Sequence, residues 1–246
     1  MKNKKLMERG VALKKNTKEV LVVVDAVNGF TKEGVFECEY FKNILINIQT
    51  LANTFKNSKE KEVILIVDSH TKDSKEFETY PEHCVEGTSE PEIVEELWDF
   101  IDPSGENVFY KNSTNAIYAD TDQTRTYDFL VDKNLIEVND EKRQRITYNY
   151  TYNLLQTLLR SAREGSLEKV NIVGGVTDIC VMEFAMSFKK AVNELNLDVQ
   201  VEVLWDLVET YDASWHNRAE WSNMAMRFMQ QGGVRIRKQY GGELIE

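Results

Sequence analysis

Cysteine and proline are scarce in this chain, which has three of each among its 246 residues. Three cysteines, at positions 38, 84 and 180, cannot build the disulfide framework of a secreted scaffold, so we expect a reducing, cytoplasmic setting. No apolar run approaches the roughly 20 residues of a membrane span. The basic start also lacks an apolar stretch of signal-peptide length. These absences predict a soluble protein without a membrane partner.

Basic residues are outnumbered by acidic ones. Lysine and arginine total 30 against 41 aspartates and glutamates, which gives a formal net charge of −11. Phosphate contacts need a basic face, so this balance argues against nucleic acid as a partner and leaves a small neutral substrate open. The hydrophobic share, 42%, is enough for a sizeable core.

Apolar patterns of strands and helices alternate along the chain. Runs rich in β-branched residues at 20–24 and 63–67 are typical of strands covered on both faces, whereas apolar residues recur at helical spacing between 41 and 55. The alternation predicts a three-layer α/β/α domain with a mostly parallel central sheet and helices on both faces. We assign residues 1–18 to a polar arm and 19–246 to this single domain. The polar stretch near 115–150 is read as an insertion that includes a small hairpin, and Pro91 as the start of a helix.

Chemically active side chains follow several of the predicted strands directly. Asp25 and Asp68 each follow a buried run, and Lys111 follows the short strand at 108–110. The strand at 170–173 leads into a glycine-rich turn that ends at Cys180. Ligands of open parallel sheets bind beyond the carboxyl ends of the strands, so we expect these four positions to converge.

Cys180 lies where that glycine-rich turn meets the start of a predicted helix. A helix N-terminus favours the thiolate, and its free N–H groups can bind an oxyanion. The alternative is a small buried hydrophobe, the usual fate of a free cysteine. Asp25 and Lys111, unremarkable singly, would together supply a base and a cation for a thiol nucleophile. Nearby, Asp178 is expected to cap the helix, and His216 to be a packing or capping histidine.

Two of the three histidines fall within fourteen residues of each other, at His70 and His83, close to Asp68. Imidazole and carboxylate ligands suit a divalent metal such as Zn²⁺, Fe²⁺ or Mn²⁺. The alternative is a polar loop whose histidines cap turns. Glu76 is a further candidate ligand, with the glutamates at 78 and 82 as competitors.

Four segments carry a resemblance to a known family. They are Asp-Ala-Val-Asn-Gly-Phe at 25–30; Asp-Ser-His at 68–70 with Tyr-Pro-Glu-His-Cys-Val-Glu-Gly-Thr at 80–88; Tyr-Lys at 110–111; and Gly-Gly-Val-Thr-Asp-Ile-Cys-Val at 174–181. In this order they resemble the isochorismatase-like cysteine hydrolases, and the second segment is similar to the nicotinamidase branch. Asn28 and Gly29 depart from the family pattern, which has Gln-Asn at this point.

The resemblance implies a role for each matched residue. The implied groups are a catalytic triad of Asp25, Lys111 and Cys180; backbone oxyanion donors at Val176 and Cys180; aromatic substrate walls at Phe30 and Tyr80; and metal ligands Asp68, His70 and His83 with Glu76 as the fourth. It further implies a cis peptide at Gly175–Val176.

The function implied by the resemblance is hydrolysis of nicotinamide to nicotinate and ammonia, in nicotinamide salvage toward NAD. The expected cofactor is a divalent metal, zinc first, with iron or manganese as alternatives. The expected partners are the small amide and further copies of the chain in a homo-oligomer. The alternatives are hydrolysis of another small amide, a non-catalytic metal-binding scaffold, and a redox or zinc-storage protein that uses Cys84 and Cys180.

Overall fold

The computed structural model of the protein describes residues 13–139, 141, 143 and 151–245. Most of the predicted N-terminal arm, residues 1–12, therefore lies outside the described part. So do residues 140, 142 and 144–150 of the predicted insertion, and the division of the chain into arm, domain and insertion stays a prediction. Within the described residues, no helix combines the length and apolar character needed to cross a bilayer.

One seven-stranded sheet runs through the described part of the chain, in the order β4-β3-β2-β1-β5-β6-β7. Its strands are β1 Glu19–Val24, β2 Lys61–Asp68, β3 Val108–Lys111, β4 Asp120–Thr121, β5 Lys169–Gly175, β6 Gln200–Glu209 and β7 Arg235–Arg237. Every neighbouring pair is parallel except β3 and β4. The predicted mostly parallel sheet is confirmed.

Six α-helices are described around this sheet. They are the single turn α1 Asn28–Thr31, then α2 Glu39–Lys56, α3 Gln123–Asp132, α4 Leu154–Arg163, α5 Met182–Glu194 and α6 Arg218–Gln231. Helix α2 connects β1 to β2, whereas α5 and α6 connect β5, β6 and β7 in the opposite direction across the sheet. Because parallel crossovers are right-handed, opposite directions put these helices on opposite faces. The α/β/α layering agrees with the prediction.

One local prediction was wrong. The helix predicted to begin at Pro91 is a short 3₁₀-helix, Glu95–Phe100, because Val94 before it keeps an extended backbone with ψ 148°. The described part of the polar stretch after Lys111 forms β4, antiparallel to β3, and helix α3, which begins where the Asp122 carboxylate accepts a hydrogen bond from the N–H of Arg125. The small hairpin predicted in this stretch stays a prediction, because residues 140, 142 and 144–150 lie outside the described part. Apolar residues are sparse in α3, so hydrophobic periodicity gave little signal there.

The register of the central strands brings their carboxyl ends to one edge. Val24 pairs with Ile66 on one side and with Gly174 on the other. Gly174 has φ +110°, and a Cβ there would stand 2.1 Å from the Val24 carbonyl oxygen, so glycine is required for this close approach. Asp25, Asp68, Lys111 and the turn after β5 consequently share one end of the sheet, as predicted.

Candidate active site and metal centre

Lys111, the last residue of β3, lies at the centre of the site. Its Nζ is 3.0 Å from Oδ2 of Asp25 and donates a hydrogen bond at 3.6 Å to Sγ of Cys180. The same ammonium donates to Oδ1 of Asp68. All four side chains are buried. Sequence reasoning brought the triad together but missed the contact with Asp68, through which one lysine joins the predicted triad to the predicted metal ligands.

Asp25 is a buried carboxyl group with few hydrogen-bond donors around it. It follows β1 with φ 50°, a left-handed conformation that turns the chain away from the sheet. The ammonium of Lys111 and the thiol of Cys180 are both near, but no donor among the described residues reaches either carboxylate oxygen in full hydrogen-bond geometry. Burial raises the pKa of Asp25 to about 7, against the attraction of Lys111. A carboxyl group with such a pKa can take up and release a proton near neutral pH.

Cys180 lies in a π-helical turn, Thr177–Val181, that leads into α5. Burial raises the pKa of its thiol well above the usual value, although Lys111 acts in the opposite direction. The thiolate expected from the helix N-terminus is therefore not the resting form in this geometry, because the dry surroundings and nearby carboxylates outweigh the ammonium. An adjacent base is needed to ionise the thiol.

The turn before Cys180 contains the predicted cis peptide bond, between Gly175 and Val176. The Val176 carbonyl accepts hydrogen bonds from the N–H groups of Ile179 and Val181. The two donors are the residues directly before and after Cys180 in the sequence. π-Helical turns of this kind are frequent at functional sites. The assignment of the Val176 and Cys180 N–H groups to an oxyanion site stays a prediction.

Asp68, His70 and His83 form a buried group of potential metal ligands. One atom from each lies within 4.8 Å of the others. Oδ2 of Asp68 is 3.1 Å from Nε2 of His70 and 3.1 Å from Nε2 of His83. Ligands of a tetrahedral zinc ion, each about 2.0–2.2 Å from the metal, lie roughly 3.3–3.6 Å apart. The spacing of the donor atoms is close to that requirement.

The hydrogen bonds on the far sides of the two imidazoles also fit a metal. Nδ1 of His83 lies 2.7 Å from the Pro81 carbonyl oxygen and therefore donates to it, whereas Nδ1 of His70 lies 3.4 Å from Oγ of Ser74. With one proton held on Nδ1 by the Pro81 carbonyl, Nε2 of His83 carries a second proton when it donates to Asp68, and loses that proton when it binds a metal. The described residues thus fit a divalent metal.

The negative charge of Asp68 favours the binding of a cation between Asp68, His70 and His83. Burial acts to raise the pKa of Asp68, but Lys111 and the hydrogen bonds from the two histidines hold it well below the usual range. Burial acts to lower the pKa of His83, and the contact with Asp68 outweighs it and raises the pKa. Asp68 is therefore a permanent negative charge that draws protons or a metal ion.

Glu76 lies near this group but is not part of it. It belongs to the 3₁₀-helix Lys75–Glu78, and its Oε2 accepts a hydrogen bond of 2.9 Å from the N–H of Thr114. Burial raises the pKa of Glu76. In this position Glu76 faces the same pocket as His83 and Cys180. Its role as fourth ligand stays a prediction.

A narrow pocket of about 20 Å³ opens over Cys180. It is lined by Phe30, Phe36, Glu76, Tyr80, His83, Thr114, Val176, Ile179, Cys180 and Tyr211. Phe30 and Tyr80 were expected there. Phe36 and Tyr211 were missed, although Tyr211 obeys the same strand-end rule: β6 runs to Glu209, beyond the predicted end at residue 204.

A larger and more open groove of about 530 Å³ lies between helix α3 and the segment at 87–93. It is lined by none of the predicted site residues. Because it lacks the nucleophile and the metal ligands, we place the chemistry in the smaller pocket.

The remaining cysteines are buried and serve packing. Sγ of Cys84 lies 2.7 Å from where a Cβ on Gly29 would stand, so Gly29, a departure from the family pattern, makes room for it. Burial raises the pKa of the Cys84 thiol. Among the described residues, the potential metal group contains no cysteine, which removes the support for a zinc-storage role.

Of the two residues expected to cap or pack near the nucleophile turn, Asp178 departs from its prediction and His216 does not. The helix-cap role of Asp178 is wrong: Val176 occupies the cap, and Asp178 lies within the π-helical turn, where its Oδ2 is 2.9 Å from Nε2 of His216. His216 is buried and stacked on aromatic rings, so its prediction as a packing histidine is confirmed.

Comparison with known proteins agrees with this geometry. The family model described as the Isochorismatase domain matches residues 19–130. Among curated proteins, none matches the chain. The resemblance to isochorismatase-like hydrolases that the motifs carry is thus confirmed, and this match, with amidases among the solved structures of similar fold, supports a hydrolase.

Three of those solved structures are nearly coextensive with the chain. A nicotinamidase/pyrazinamidase of Acinetobacter baumanii is 22% identical, with 93% of this chain and 99% of that chain covered and a TM-score of 0.59. A pyrazinamidase of Pyrococcus horikoshii in complex with zinc is 17% identical, covering 89% and 98%, with a TM-score of 0.57. An N-carbamoylsarcosine amidase of Thermoplasma acidophilum is 20% identical, covering 89% and 95%, with a TM-score of 0.56. At these identities the likeness is one of fold.

Proposed function

We propose that this isochorismatase-like protein is a metal-dependent nicotinamidase, which converts nicotinamide and water to nicotinate and ammonia. The observation that carries the proposal is the position of Lys111, whose ammonium contacts Asp25, Cys180 and Asp68 together. Cys180 and His83 line one pocket, and Lys111 connects Cys180 to Asp25 and Asp68 behind it. The aromatic side chains of Phe30 and Tyr80 in its lining suit a flat heteroaromatic ring.

Asp68, His70 and His83 are the residues that would hold the metal. A divalent ion bound there supplies an electrophilic centre that can accept a lone pair, such as that of a pyridine nitrogen. Zinc suits a set of two imidazoles and one carboxylate, and iron and manganese are the alternatives.

Proton transfer in the first half-reaction depends on Asp25. Its carboxylate takes the proton of the Cys180 thiol, and the sulfur attacks the amide carbon. The N–H groups of Val176 and Cys180 receive the developing oxyanion, where one such donor is typically worth about 3–4 kcal/mol. Asp25 then gives its proton to the leaving nitrogen, so that ammonia departs and a thioester remains on Cys180.

Hydrolysis of the thioester completes the cycle. A water molecule attacks the thioester carbon while Asp25 accepts its proton, and the same oxyanion donors serve again. The C–S bond then breaks, nicotinate leaves, and Asp25 returns its proton to the Cys180 sulfur. Lys111 stays positively charged throughout, because the attraction of Asp25 and Asp68 outweighs burial and raises its pKa well above the usual value. It balances the negative charge that moves between sulfur and carboxylate.

The experiment that tests the proposal is ammonia release from nicotinamide, with and without prior treatment with a chelator. We expect turnover that is lost on chelation and restored by a divalent metal. Absence of turnover in the metal-loaded protein, together with turnover of another amide, would reject nicotinamide as the substrate.

A second candidate is hydrolysis of a different small amide. It is favoured by the similar fold of the N-carbamoylsarcosine amidase, which shows that amidases with this fold act on other substrates. The two candidates are distinguished by measuring turnover of a panel of aromatic and aliphatic carboxamides. A ring-nitrogen requirement supports the nicotinamidase, whereas preference for aliphatic ureido or amide substrates supports this second candidate.

A further inference from the structure

His216 lies behind the nucleophile turn, outside the predicted catalytic residues and metal ligands. Its Nε2 is 2.9 Å from Oδ2 of Asp178, and its Nδ1 is 3.1 Å from the Tyr211 carbonyl oxygen. Asp178 is the second residue of the π-helical turn whose fourth residue is Cys180. Tyr211 lines the substrate pocket. One buried imidazole therefore bridges the turn of the nucleophile and a wall of the pocket.

The hydrogen-bond partners of His216 constrain its charge. A carbonyl oxygen only accepts hydrogen bonds, so Nδ1 must carry a proton. An ionised Asp178 also only accepts, so Nε2 must carry one as well, which makes the ring an imidazolium. The alternative is a neutral ring that accepts a hydrogen bond from a protonated Asp178.

Aromatic rings hold the imidazole in place. It is stacked on the ring of Tyr211, with centroids 4.1 Å apart, and on the indole of Trp221 in α6, at 5.0 Å. Oδ1 of Asp178 is buried and has no hydrogen-bond partner among the described residues, so the contact of Oδ2 with His216 holds the Asp178 side chain.

We propose that His216 is a positioning residue that ties the turn of Cys180, through Asp178, to the pocket wall at Tyr211. This role deepens the proposed hydrolase function and rests on it. Because Asp178 and Cys180 share one short turn that packs against α6, holding Asp178 restricts the movement of the sulfur and of the neighbouring N–H groups.

The contact between His216 and Asp178 is tested by nitrogen-15 NMR of histidine-labelled, zinc-loaded protein. The chain has three histidines, so loss of one signal set in His216→Gln assigns the ring. We expect the Nε2 signal of His216 to shift in Asp178→Asn, because the hydrogen-bond partner of this nitrogen changes. An Nε2 signal that is the same in the wild-type protein and in Asp178→Asn would overturn the contact.

The positioning role is tested by the rate at which Cys180 is alkylated, resolved from the other cysteines by mass spectrometry. Cys180 is only 4% exposed, so reagent reaches it through local opening of the turn. We expect Asp178→Asn, which keeps the shape of the side chain, and His216→Gln each to raise this rate at least fivefold. Cys84, buried elsewhere, is the internal reference and should change less than twofold.

A matched control is Glu92→Gln, which breaks the ion pair of 2.7 Å with Lys133 far from the turn. It should leave the Cys180 rate unchanged. An unchanged rate in both test variants, or equal increases at Cys84 and Cys180, would overturn the positioning role. Because neither readout uses nicotinamide, failure of this inference is distinguishable from failure of the proposed nicotinamidase activity, which the ammonia assay decides separately.

Discussion

Asp25 and Asp68 are two buried aspartates at the ends of adjacent parallel strands, and both lie against Lys111. The two carboxylates differ in their hydrogen-bond partners. Asp68 accepts from Lys111 and has two imidazole nitrogens at 3.1 Å, whereas Asp25 accepts no hydrogen bond from the described residues. Burial accordingly raises the pKa of Asp25 to about 7, while its partners hold the pKa of Asp68 well below the usual range.

This difference is what the proposed function requires of two aspartates at one edge of the sheet. A carboxylate surrounded by donors keeps its charge and can serve as a metal ligand. A carboxylate left without donors in a dry site binds a proton reversibly, as a general base and acid must. Lys111 adjoins both, so the number of other hydrogen-bond donors decides the role.

The largest effect is expected from Asp25→Asn. An amide cannot take the thiol proton, so we expect kcat for nicotinamide to fall by about 10³-fold or more, while the bound metal stays. Ammonia release and metal analysis of the same sample measure both. The matched control is Asp122→Asn, because asparagine also caps helices well and Asp122 only caps α3. Loss of metal in Asp25→Asn would contradict the assignment of Asp25 as the base and of Asp68 as a metal ligand.

Asp68→Asn should act on the metal instead. Removal of a charged ligand is expected to weaken divalent-metal binding by at least about 100-fold, more than the loss of a supporting residue around a metal ligand usually costs. Competition with a chromophoric chelator measures the affinity. Unchanged affinity would exclude Asp68 as a ligand, and partial recovery of turnover at high zinc would sharpen its assignment.

The pH dependence of kcat/KM should report Asp25. Below about pH 7 this carboxyl becomes protonated and can no longer accept the thiol proton, so kcat/KM is expected to fall about tenfold per pH unit. Asp68, whose pKa lies well below the usual range, should stay ionised over the same interval and retain the metal. Metal analysis at pH 5.5 separates the two effects. A flat profile down to pH 5.5 would remove Asp25 as the base.

A smaller effect is expected from Ser74→Ala. Its Oγ lies 3.4 Å from Nδ1 of His70, a long contact compared with the 2.7 Å between Nδ1 of His83 and the Pro81 carbonyl oxygen. Loss of such an orienting partner should weaken metal binding by about tenfold or less, with kcat of the metal-saturated protein unchanged. A much larger loss would mean that Ser74 orients His70 more strongly than the contact indicates.

Much of this arrangement was predictable, because it follows from strand ends. β-Branched runs located β1 and β2, and parallel pairing then brings Asp25, Asp68 and Lys111 to one edge. The opposite pKa shifts of the two aspartates were not predictable, since they depend on which donors reach each oxygen.

Contacts between distant segments were also missed. His216 meets Asp178 across 38 positions, and neither residue lies in a pattern that indicates the other. Tyr211 was missed because β6 continues to Glu209 through residues that include charged side chains, where hydrophobic patterning predicts an earlier end. Both errors concern packing, which periodicity does not encode.

The most direct measurement is ammonia release from nicotinamide by metal-loaded Cys180→Ala beside the wild-type protein. The variant lacks the sulfur but keeps Asp25, Lys111 and the three metal ligands. The account predicts turnover by the wild-type protein and none above background by the variant, with equal metal content in both. Comparable turnover by Cys180→Ala would contradict it, because the metal would then act on the amide without the thiol.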